Sequence, residues 1–326
     1  QSHSVSMVAH SETNNVDNSS EQVCALREYN DLSDIQRIVD KYTENGKQSG
    51  RPNNATAINA VILLRDTGFT SSKLRAFTSE KSEYLILVEE NVVQLPWITI
   101  RTPNGGHDFP LLKMVMNEII HKRVPSIHRE GQFLIDCDQE ATDEMMSMLN
   151  YPTMVPEGEF AYFYMTDDQC DAVMKETYVA PAGYVMDSIR EHDFDFVMST
   201  WKYCDSHMLV KERLRHFPCI AIRTENGGEL ASFMSTHTMG LLSHLYTLPA
   251  HRGKGLGKVT EMRLAQMYIE RGLRPYKAVS FCNKIAYESS LRSPFYTLWK
   301  RKNGEPICWN FGEFTYKPCD SAGGSQ

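Results

Sequence analysis

The sequence lacks several features that would each mark a class of protein. No stretch of its 326 residues reaches the ~18–20 consecutive apolar residues of a membrane-spanning helix. The net charge of -7 gives no basic excess for nucleic acid. The eight cysteines include no Cys-x-x-Cys pair, which is typical of reduced thiols rather than a disulfide scaffold. We therefore expect no membrane and no nucleic acid as a partner.

The first twenty residues lack an apolar signal-peptide core and the arginines of a transit peptide. They are polar and nearly free of aromatic residues, so residues 1–20 are predicted to be a disordered tail. The expected location is intracellular. The cytoplasm is the default compartment, and the mitochondrion stays open because the sequence starts with Gln rather than Met. The oligomeric state is not readable from these features.

What the sequence does contain is a composition of 41% hydrophobic and 23% charged residues, which is ordinary for a globular protein of about two domains. Apolar periodicity predicts helix over residues 24–45 and a buried strand at NATAINAVILLRD, residues 54–66. Further along, helical and strand patterns alternate around a mixed sheet. The predicted fold class is therefore α/β, or α+β with a mixed sheet.

A break in this alternation divides the chain. TYVAPAGYVMD interrupts the pattern with proline and glycine at residues 177–187, and we place a domain boundary there. The predicted organisation is a first domain over 21–180, a second over 181–318 and a flexible tail over 319–326.

The most informative stretch is TLPAHRGKGLGKVT, residues 247–260, which has three glycines between an apolar strand and a helix. Glycine costs roughly 1 kcal/mol relative to alanine in a helix, so bare backbone is expected to have a use there. Free N–H groups and the dipole at a helix N-terminus favour an anion, and neighbouring basic side chains add to this. The residues concerned are Arg252, Gly253, Lys254, Gly255, Leu256, Gly257 and Lys258.

Two common phosphate-binding patterns do not fit this stretch. A Walker A loop fails because Gly253 and Gly257 enclose only three residues and Val259 stands where a hydroxyl is needed. A dinucleotide fingerprint fails because Lys258 occupies the position of its last glycine. A turn with solvated basic residues remains the simple alternative.

The spacing Arg-x-x-Gly-x-Gly, at Arg252, Gly255 and Gly257, resembles the pyrophosphate loop of the GNAT (GCN5-related N-acetyltransferase) superfamily. Within it, YTLPAHR, RGLRPY and the Asn-Lys-Ile at 283–285 are similar to the glycine N-acyltransferase family. The motif-level resemblance covers roughly residues 195–300. For the earlier residues it rests on length and arrangement.

The resemblance implies two tandem GNAT-like domains, of which the N-terminal one is degenerate. It implies transfer of an acyl group from a CoA thioester to the amine of glycine or another small amino acid, by direct attack. The co-substrate would be acyl-CoA or coenzyme A, with no metal. A backbone N–H near Leu245, Tyr246 or Thr247 would stabilise the oxyanion, and Asn283 would contact the pantetheine or orient the acceptor.

The sequence departs from the family at the catalytic base. The family's carboxylate position corresponds to Leu241, and no Asp or Glu lies between Glu229 and Glu261. An ammonium must lose a proton before it attacks, and histidine titrates in a suitable range. His244 and His237 are the candidates, each also explicable as a structural histidine. The superfamily's acid tyrosine corresponds to Ser290, with Tyr287 one turn closer.

Two other functions stay open at this point. One is a GNAT acetyltransferase that acts on a protein or polyamine amine, and the other is a non-catalytic acyl-CoA sensor. The acyl chain preference and the acceptor are not readable from the sequence.

Overall fold

The computed structural model describes residues 26–44, 52–79, 84–91, 95–101, 106–130, 132–149, 160–201, 206–226, 228–301 and 303–315. The expected tails at 1–20 and 319–326 lie outside these ranges. The helices are α1 (Leu32–Glu44), α2 (Pro52–Asp66), α3 (Phe109–Glu118), α4 (Pro125–Glu130), α5 (Gln139–Leu149), α6 (Asp167–Lys175), α7 (Phe194–Ser199), α8 (His207–His216), α9 (Leu256–Glu270) and α10 (Lys284–Arg292).

Strands alternate with these helices, so the mixed α/β fold class predicted from the sequence is confirmed. The strands are β1 (Leu26–Tyr29), β2 (Ser72–Ser79), β3 (Leu85–Asn91), β4 (Trp97–Arg101), β5 (Gln132–Asp138), β6 (Phe160–Tyr164), β7 (Tyr184–Asp187), β8 (Ile220–Thr224), β9 (Leu230–Thr236), β10 (Leu242–Thr247), β11 (Tyr276–Ser280), β12 (Thr297–Leu298) and β13 (Cys308–Thr315).

Two sheets organise the described residues. The larger has the order β1-β2-β3-β4-β5-β13-β6-β11, with β12 also paired to β6, and the smaller has the order β10-β9-β8-β7. The β4–β5 pair is parallel and the other pairs are antiparallel. Apolar side chains of α7 and α8 pack on one face of the smaller sheet, and α9 packs on the other.

The larger sheet is built from both ends of the chain. β6, from before residue 180, pairs with β11, from the second half. β13, the last strand, pairs with β5 over seven residue pairs and also touches β6. The strands on either side of the break at residues 177–187 therefore interleave in one sheet.

Two predicted elements were wrong. Residues 24–45 are not one helix, because Leu26–Tyr29 forms an edge strand on β2 and the helix begins only at Leu32. Residues 54–66 form helix α2 rather than a strand. The side chains of α2 are buried on nearly all sides, so the polar face that would have marked a helix is absent.

Thr166 caps α6 in a capping box with Gln169. α9 ends at Glu270. None of the helices described here is long and apolar enough to cross a membrane.

Candidate active site at the β10–α9 loop

The glycine loop follows β10 and ends at the first turn of α9. Gly253 has φ of 76° and Gly255 has φ of 78°, a left-handed conformation that side-chain-bearing residues rarely adopt. The left-handed backbone conformation is therefore sufficient to explain why these two positions are glycine. Gly257 lies inside the helix without a positive φ, so it needs another explanation.

The N-terminus of α9 has no side-chain cap. Gly255 is the N-cap residue, and the first hydrogen bond of the helix runs from Val259 N–H to Gly255 O at 3.3 Å. The backbone N–H groups of residues 253–258 have no acceptor among the described residues. A row of unpaired donors at the positive end of a helix dipole favours an anion.

Gly257 keeps one side of this row open. A Cβ atom at Gly257 would lie 3.5 Å from Thr247 Oγ1 and 3.9 Å from Leu245 Cδ2, in ordinary contact with both. The fold would therefore accept alanine there. Glycine at this position leaves the backbone of the first turn of α9 open to close approach from outside.

Three cationic side chains surround these amides. The Arg252 guanidinium donates from Nε to Thr247 O at 2.9 Å and lies 5.7 Å from the Tyr246 ring. The Lys254 ammonium donates to the Tyr184 hydroxyl at 2.8 Å and lies over the Tyr184 ring. Lys258 is exposed in the first turn of α9. The loop thus carries positive charge around its free N–H groups.

Tyr184 links Lys254 to a buried histidine. Its hydroxyl oxygen accepts from Lys254, so its own hydrogen is available to His251 Nδ1, 3.0 Å away. His251 Nε2 then carries the hydrogen of the neutral ring and lies 3.7 Å from the Glu229 carboxylate. Sequence reasoning missed Tyr184, because nothing in the local pattern brings strand β7 to the loop.

The loop lies at one end of a junction between the two sheets. β10 is the edge of the smaller sheet and β11 the edge of the larger one, and in the described part of the chain no ladder joins them. We call this junction the β10–β11 seam. α9 connects the two strands, which places both carboxyl ends, the glycine loop and Asn283 on the same side.

A bulge in β10 interrupts its pairing with β9. The register shifts between Ser243 and Tyr246, so His244 and Leu245 have no partner residue in β9. His244 has φ of 54°, which is uncommon for a residue with a side chain. The bulge turns backbone groups of β10 away from its own sheet, beside the seam.

The structure buries His244 among aromatic rings. Its imidazole stacks on Trp201 at 4.9 Å and meets Phe233 edge-on at 5.1 Å. Thr200 hydroxyl donates to Val197 O, so the 3.0 Å contact has His244 Nε2–H donating to Thr200 Oγ1. The basic nitrogen is then Nδ1, which is buried and has no hydrogen-bond partner. Burial lowers the pKa of His244 to about 4.

His237 lies near His244 around the same tryptophan. The His237 ring is 5.8 Å from the Trp201 ring and 5.4 Å from the Trp97 ring, both edge-on. His237 Nδ1 donates to Thr238 O at 2.9 Å, which makes Nε2 the basic nitrogen of the neutral ring. The two histidines proposed from the sequence are therefore close together. Leu241, where the resemblance leads one to expect a carboxylate, is buried among apolar residues.

Asn283 begins α10 at the carboxyl end of β11. Its Oδ1 accepts from Ala286 N at 3.2 Å, so the side chain serves as a helix cap. The residue is exposed, and its Nδ2 is a donor that this cap does not use. Tyr287 packs against Phe163 and Phe281, and Ser290 bonds to Ala286 O, so both have structural contacts.

In the first half, α3 follows β4 and precedes β5, with α4 between α3 and β5, and the described residues there differ from the β10–α9 loop. There β4 and β5 are hydrogen-bonded in parallel over Trp97–Thr99, so no seam separates those residues. α3, the helix that follows β4, is capped by the Asp108 carboxylate, which accepts from Leu111 N at 3.1 Å. A carboxylate at that helix N-terminus takes the place of an external anion.

Two further observations delimit the site. The described residues contain no group of three or more His, Cys, Asp or Glu side chains that could hold a metal ion. A cavity of about 410 Å³ lies elsewhere, between α8 and the end of α9. Its walls include Ile189, Phe194, Leu214, Phe217, Met267 and Arg271, and no residue of the loop or the seam lines it.

Comparison with known proteins gives structural neighbours. An X-ray structure of a Drosophila protein matches with a TM-score of 0.65 at 13% identity, over 89% of this chain and 98% of that one. GCN5-related N-acetyltransferases from Sphaerobacter thermophilus and Kribbella flavida match with TM-scores of 0.47 and 0.43, at 10% and 11% identity. These two matches cover 90% and 78% of this chain, and 96% and 95% of the others.

The similarity to the Drosophila protein is one of fold, since the identity is low. No family model matches the chain, and no curated protein matches it either.

Proposed function

We propose that the chain is an acyl-CoA-dependent N-acyltransferase that transfers an acyl group to the amine of glycine or another small amino acid. The observation that carries this proposal is the uncapped N-terminus of α9, with unpaired N–H groups over residues 253–258 beside the β10–β11 seam. A diphosphate is an anion of the right kind for such a row of donors.

The seam supports the choice of coenzyme A over a simpler phosphate. A strand edge without a neighbour presents N–H and C=O groups that need hydrogen-bond partners. The pantetheine arm carries two amides and can bond to such an edge as a further strand would. With the diphosphate on the loop, the arm lies along β10 and brings the thioester towards the bulge at His244 and Leu245.

The reaction is a direct acyl transfer. The acceptor amine attacks the thioester carbonyl carbon, a C–N bond forms, the C–S bond breaks, and the thiolate takes up a proton. A backbone N–H group of Leu245, Tyr246 or Thr247 stabilises the oxyanion. Of these residues the bulge leaves Leu245 without a partner in β9. Holding both substrates side by side supplies much of the rate.

The histidines supply the proton acceptor. The attacking nitrogen arrives as an ammonium, and His244 Nδ1 and His237 Nε2 are the basic nitrogens of two neutral rings around Trp201. Burial lowers the pKa of His244 to about 4, so His244 is a weak base at neutral pH. His237 is the second candidate for the same role.

The choice of a small amino acid as acceptor rests on the resemblance to the glycine N-acyltransferase family. The test is a panel of acyl-CoA thioesters against glycine, other amino acids, spermidine and a lysine peptide, with products detected by mass spectrometry. Mass detection is preferable to thiol reagents because Cys282 is exposed. If only spermidine or the peptide is acylated, the proposed amino-acid acceptor is wrong, whereas the proposed acyl transfer from CoA still holds.

One observation favours a second function, that of a non-catalytic acyl-CoA sensor. The family's carboxylate position is occupied by buried Leu241, and the nearest histidine, His244, has a lowered pKa. A chain that binds acyl-CoA without a strong base is suited to sensing it. Calorimetric binding of CoA with no product from any acceptor in the panel would establish the sensor and contradict the enzyme.

Asn283 has a decisive pair of variants. Asn283→Asp keeps an oxygen that can cap α10, whereas Asn283→Ala removes the cap. If Nδ2 contacts the substrate, both variants lose turnover although only Asn283→Ala loses stability. If Asn283→Asp keeps full turnover, Asn283 is a cap alone.

A further inference from the structure

One side chain of the first half joins the two strands of the seam. Asn59, on α2, is completely buried. Its Nδ2 donates to Gly240 O and to Arg274 O, each at 2.8 Å, and its Oδ1 accepts from Arg274 N at 2.7 Å. Gly240 lies two residues before β10 and Arg274 two residues before β11. A single amide thus ties together the amino ends of two strands from different sheets.

The contact at Gly240 is unusually close. A Cβ atom there would lie 2.4 Å from Asn59 Cβ and 3.0 Å from Leu63 Cδ1, and the residue has φ of 72°. Only glycine allows α2 to approach the turn before β10 at this distance. The turn and the helix are therefore fitted to each other.

A second bond crosses the same end of the seam. The Tyr276 hydroxyl, on β11, donates to Met239 O at 2.8 Å, in the turn before β10. Tyr276 packs there with Leu241 and Trp299 in a buried cluster. The amino end of the seam is closed and filled, whereas its carboxyl end carries the glycine loop.

We propose that α2 of the first half acts as a clamp on the amino end of the β10–β11 seam and so limits the length of the acyl group that the seam accepts. This inference rests on the proposed function. Asn59 and Tyr276 are positioning residues in it, since they act through the spacing of the strands. It gives the first half a part in selecting the substrate, although the N-terminus of α3 in that half is capped by the Asp108 carboxylate.

The direction of the ligand explains the selectivity. β10 has six residues and spans roughly 20 Å. In coenzyme A the diphosphate and the thioester are at opposite ends of the pantetheine arm. With the diphosphate at the carboxyl end of β10, the acyl group points to the clamped end. Each further methylene of the acyl chain must then separate strands that Asn59 and Tyr276 hold together.

The test measures the affinity of the full chain for acetyl-, butyryl-, hexanoyl- and octanoyl-CoA by calorimetry. Wild type is compared with Asn59→Ala and Tyr276→Phe. Tyr268→Phe is the matched control, because its hydroxyl also makes a buried bond, to Thr236 Oγ1 at 2.7 Å, that does not cross the seam. We expect the ratio of octanoyl to acetyl affinity to rise about fivefold in Tyr276→Phe, which loses one hydrogen bond across the seam, and to stay unchanged in the control. The rise should be larger in Asn59→Ala, which loses three hydrogen bonds.

If Asn59 and Tyr276 have only a structural role, all three variants lose stability and the ratio of octanoyl to acetyl affinity does not change. This follows because an affinity ratio does not depend on the folded fraction. An unchanged ratio in Tyr276→Phe, or an equal rise in Tyr268→Phe, overturns the clamp and leaves the proposed function intact. If wild type binds none of the thioesters, the proposed function falls, and the clamp falls with it. Should Asn59→Ala fail to fold, Tyr276→Phe decides alone.

Discussion

At the scale of single residues, the site combines groups that the sequence identifies with groups that only the fold brings in. Arg252 and the glycines were found from their spacing. Tyr184 was not, because it lies 70 residues before Lys254 and meets it only through the pairing of β7 with β8. Local spacing can predict a loop whose residues are consecutive, but it cannot predict a contact between residues that are distant in sequence.

Tyr184→Phe is expected to weaken CoA binding about fivefold, because the Lys254 ammonium loses the hydroxyl that holds it beside the free amides. The affinity for CoA is measured by calorimetry. Tyr178→Phe is the control, since the Tyr178 hydroxyl is buried without a hydrogen-bond partner. Pantetheine, which has no diphosphate, should bind both variants as it binds wild type. Equal CoA affinities for the two variants would remove Tyr184 from the site.

His244 predicts a pH dependence of stability. Burial lowers its pKa from 6.5 to about 4, so between these values the unfolded chain binds a proton that the folded chain does not. The neutral ring stabilises the fold fully above pH 6.5, and this contribution is lost as the pH falls towards 4. Between pH 7 and pH 4.5 the loss is about 2 kcal/mol.

The matched variant is His244→Asn, because asparagine tolerates a positive φ and does not titrate. Urea unfolding at pH 7 and pH 4.5 gives the change in free energy of unfolding for each protein. Wild type should lose about 2 kcal/mol more than His244→Asn over this range. The same loss in both proteins would show that His244 is not the group responsible.

At the scale of elements, a substitution at the N-terminus of α9 should change the stability of the fold and the affinity for CoA in opposite directions. Gly257 has helical backbone and room for a Cβ, so Gly257→Ala should stabilise the fold by about 0.5–1 kcal/mol. The added methyl group lies where the diphosphate approaches, and we expect CoA affinity to fall about tenfold.

Gly255→Ala is the contrasting variant. Its φ of 78° makes any side chain strained, and the fold should lose about 1–2 kcal/mol. Thermal unfolding and CoA calorimetry on both variants check the pair. A Gly257→Ala protein that is more stable and binds CoA unchanged would argue against the loop as the diphosphate site.

The elements also show where sequence reasoning fails. α9 was predicted because its start is marked locally, by the glycines that precede it. α2 was mistaken for a strand because AVILL is apolar throughout and β-branched in part. Its packing against α1, the first sheet and the turn before β10 buries every side that could have shown a helical period.

At the scale of the whole molecule, the larger sheet contains strands from both halves of the chain. We therefore expect the two halves to fold together as one unit. Cutting the chain after residue 180 would leave β11 without β6 and β5 without β13. The sequence could place a break near residue 180, because proline and glycine mark it. It could not show that strands on either side pair across it, because pairing between distant strands depends on the tertiary fold.

We therefore expect fragments 1–180 and 181–326 to be unfolded or insoluble when each is produced alone, and to form a soluble complex when produced together. Circular dichroism and size-exclusion chromatography check this. The control is the intact chain carrying a protease site at the break, which should stay folded after cleavage. A folded, monomeric 181–326 fragment that binds CoA would contradict the expectation.

The position of β13 has a consequence for biosynthesis. β5 leaves the ribosome more than 160 residues before the strand that covers its edge. At roughly 5–20 residues per second, that edge waits for many seconds with unsatisfied N–H and C=O groups. Nascent chains are thus vulnerable to association with one another throughout the second half of translation, and dependence on chaperones in the cell follows from the order in which the strands are made.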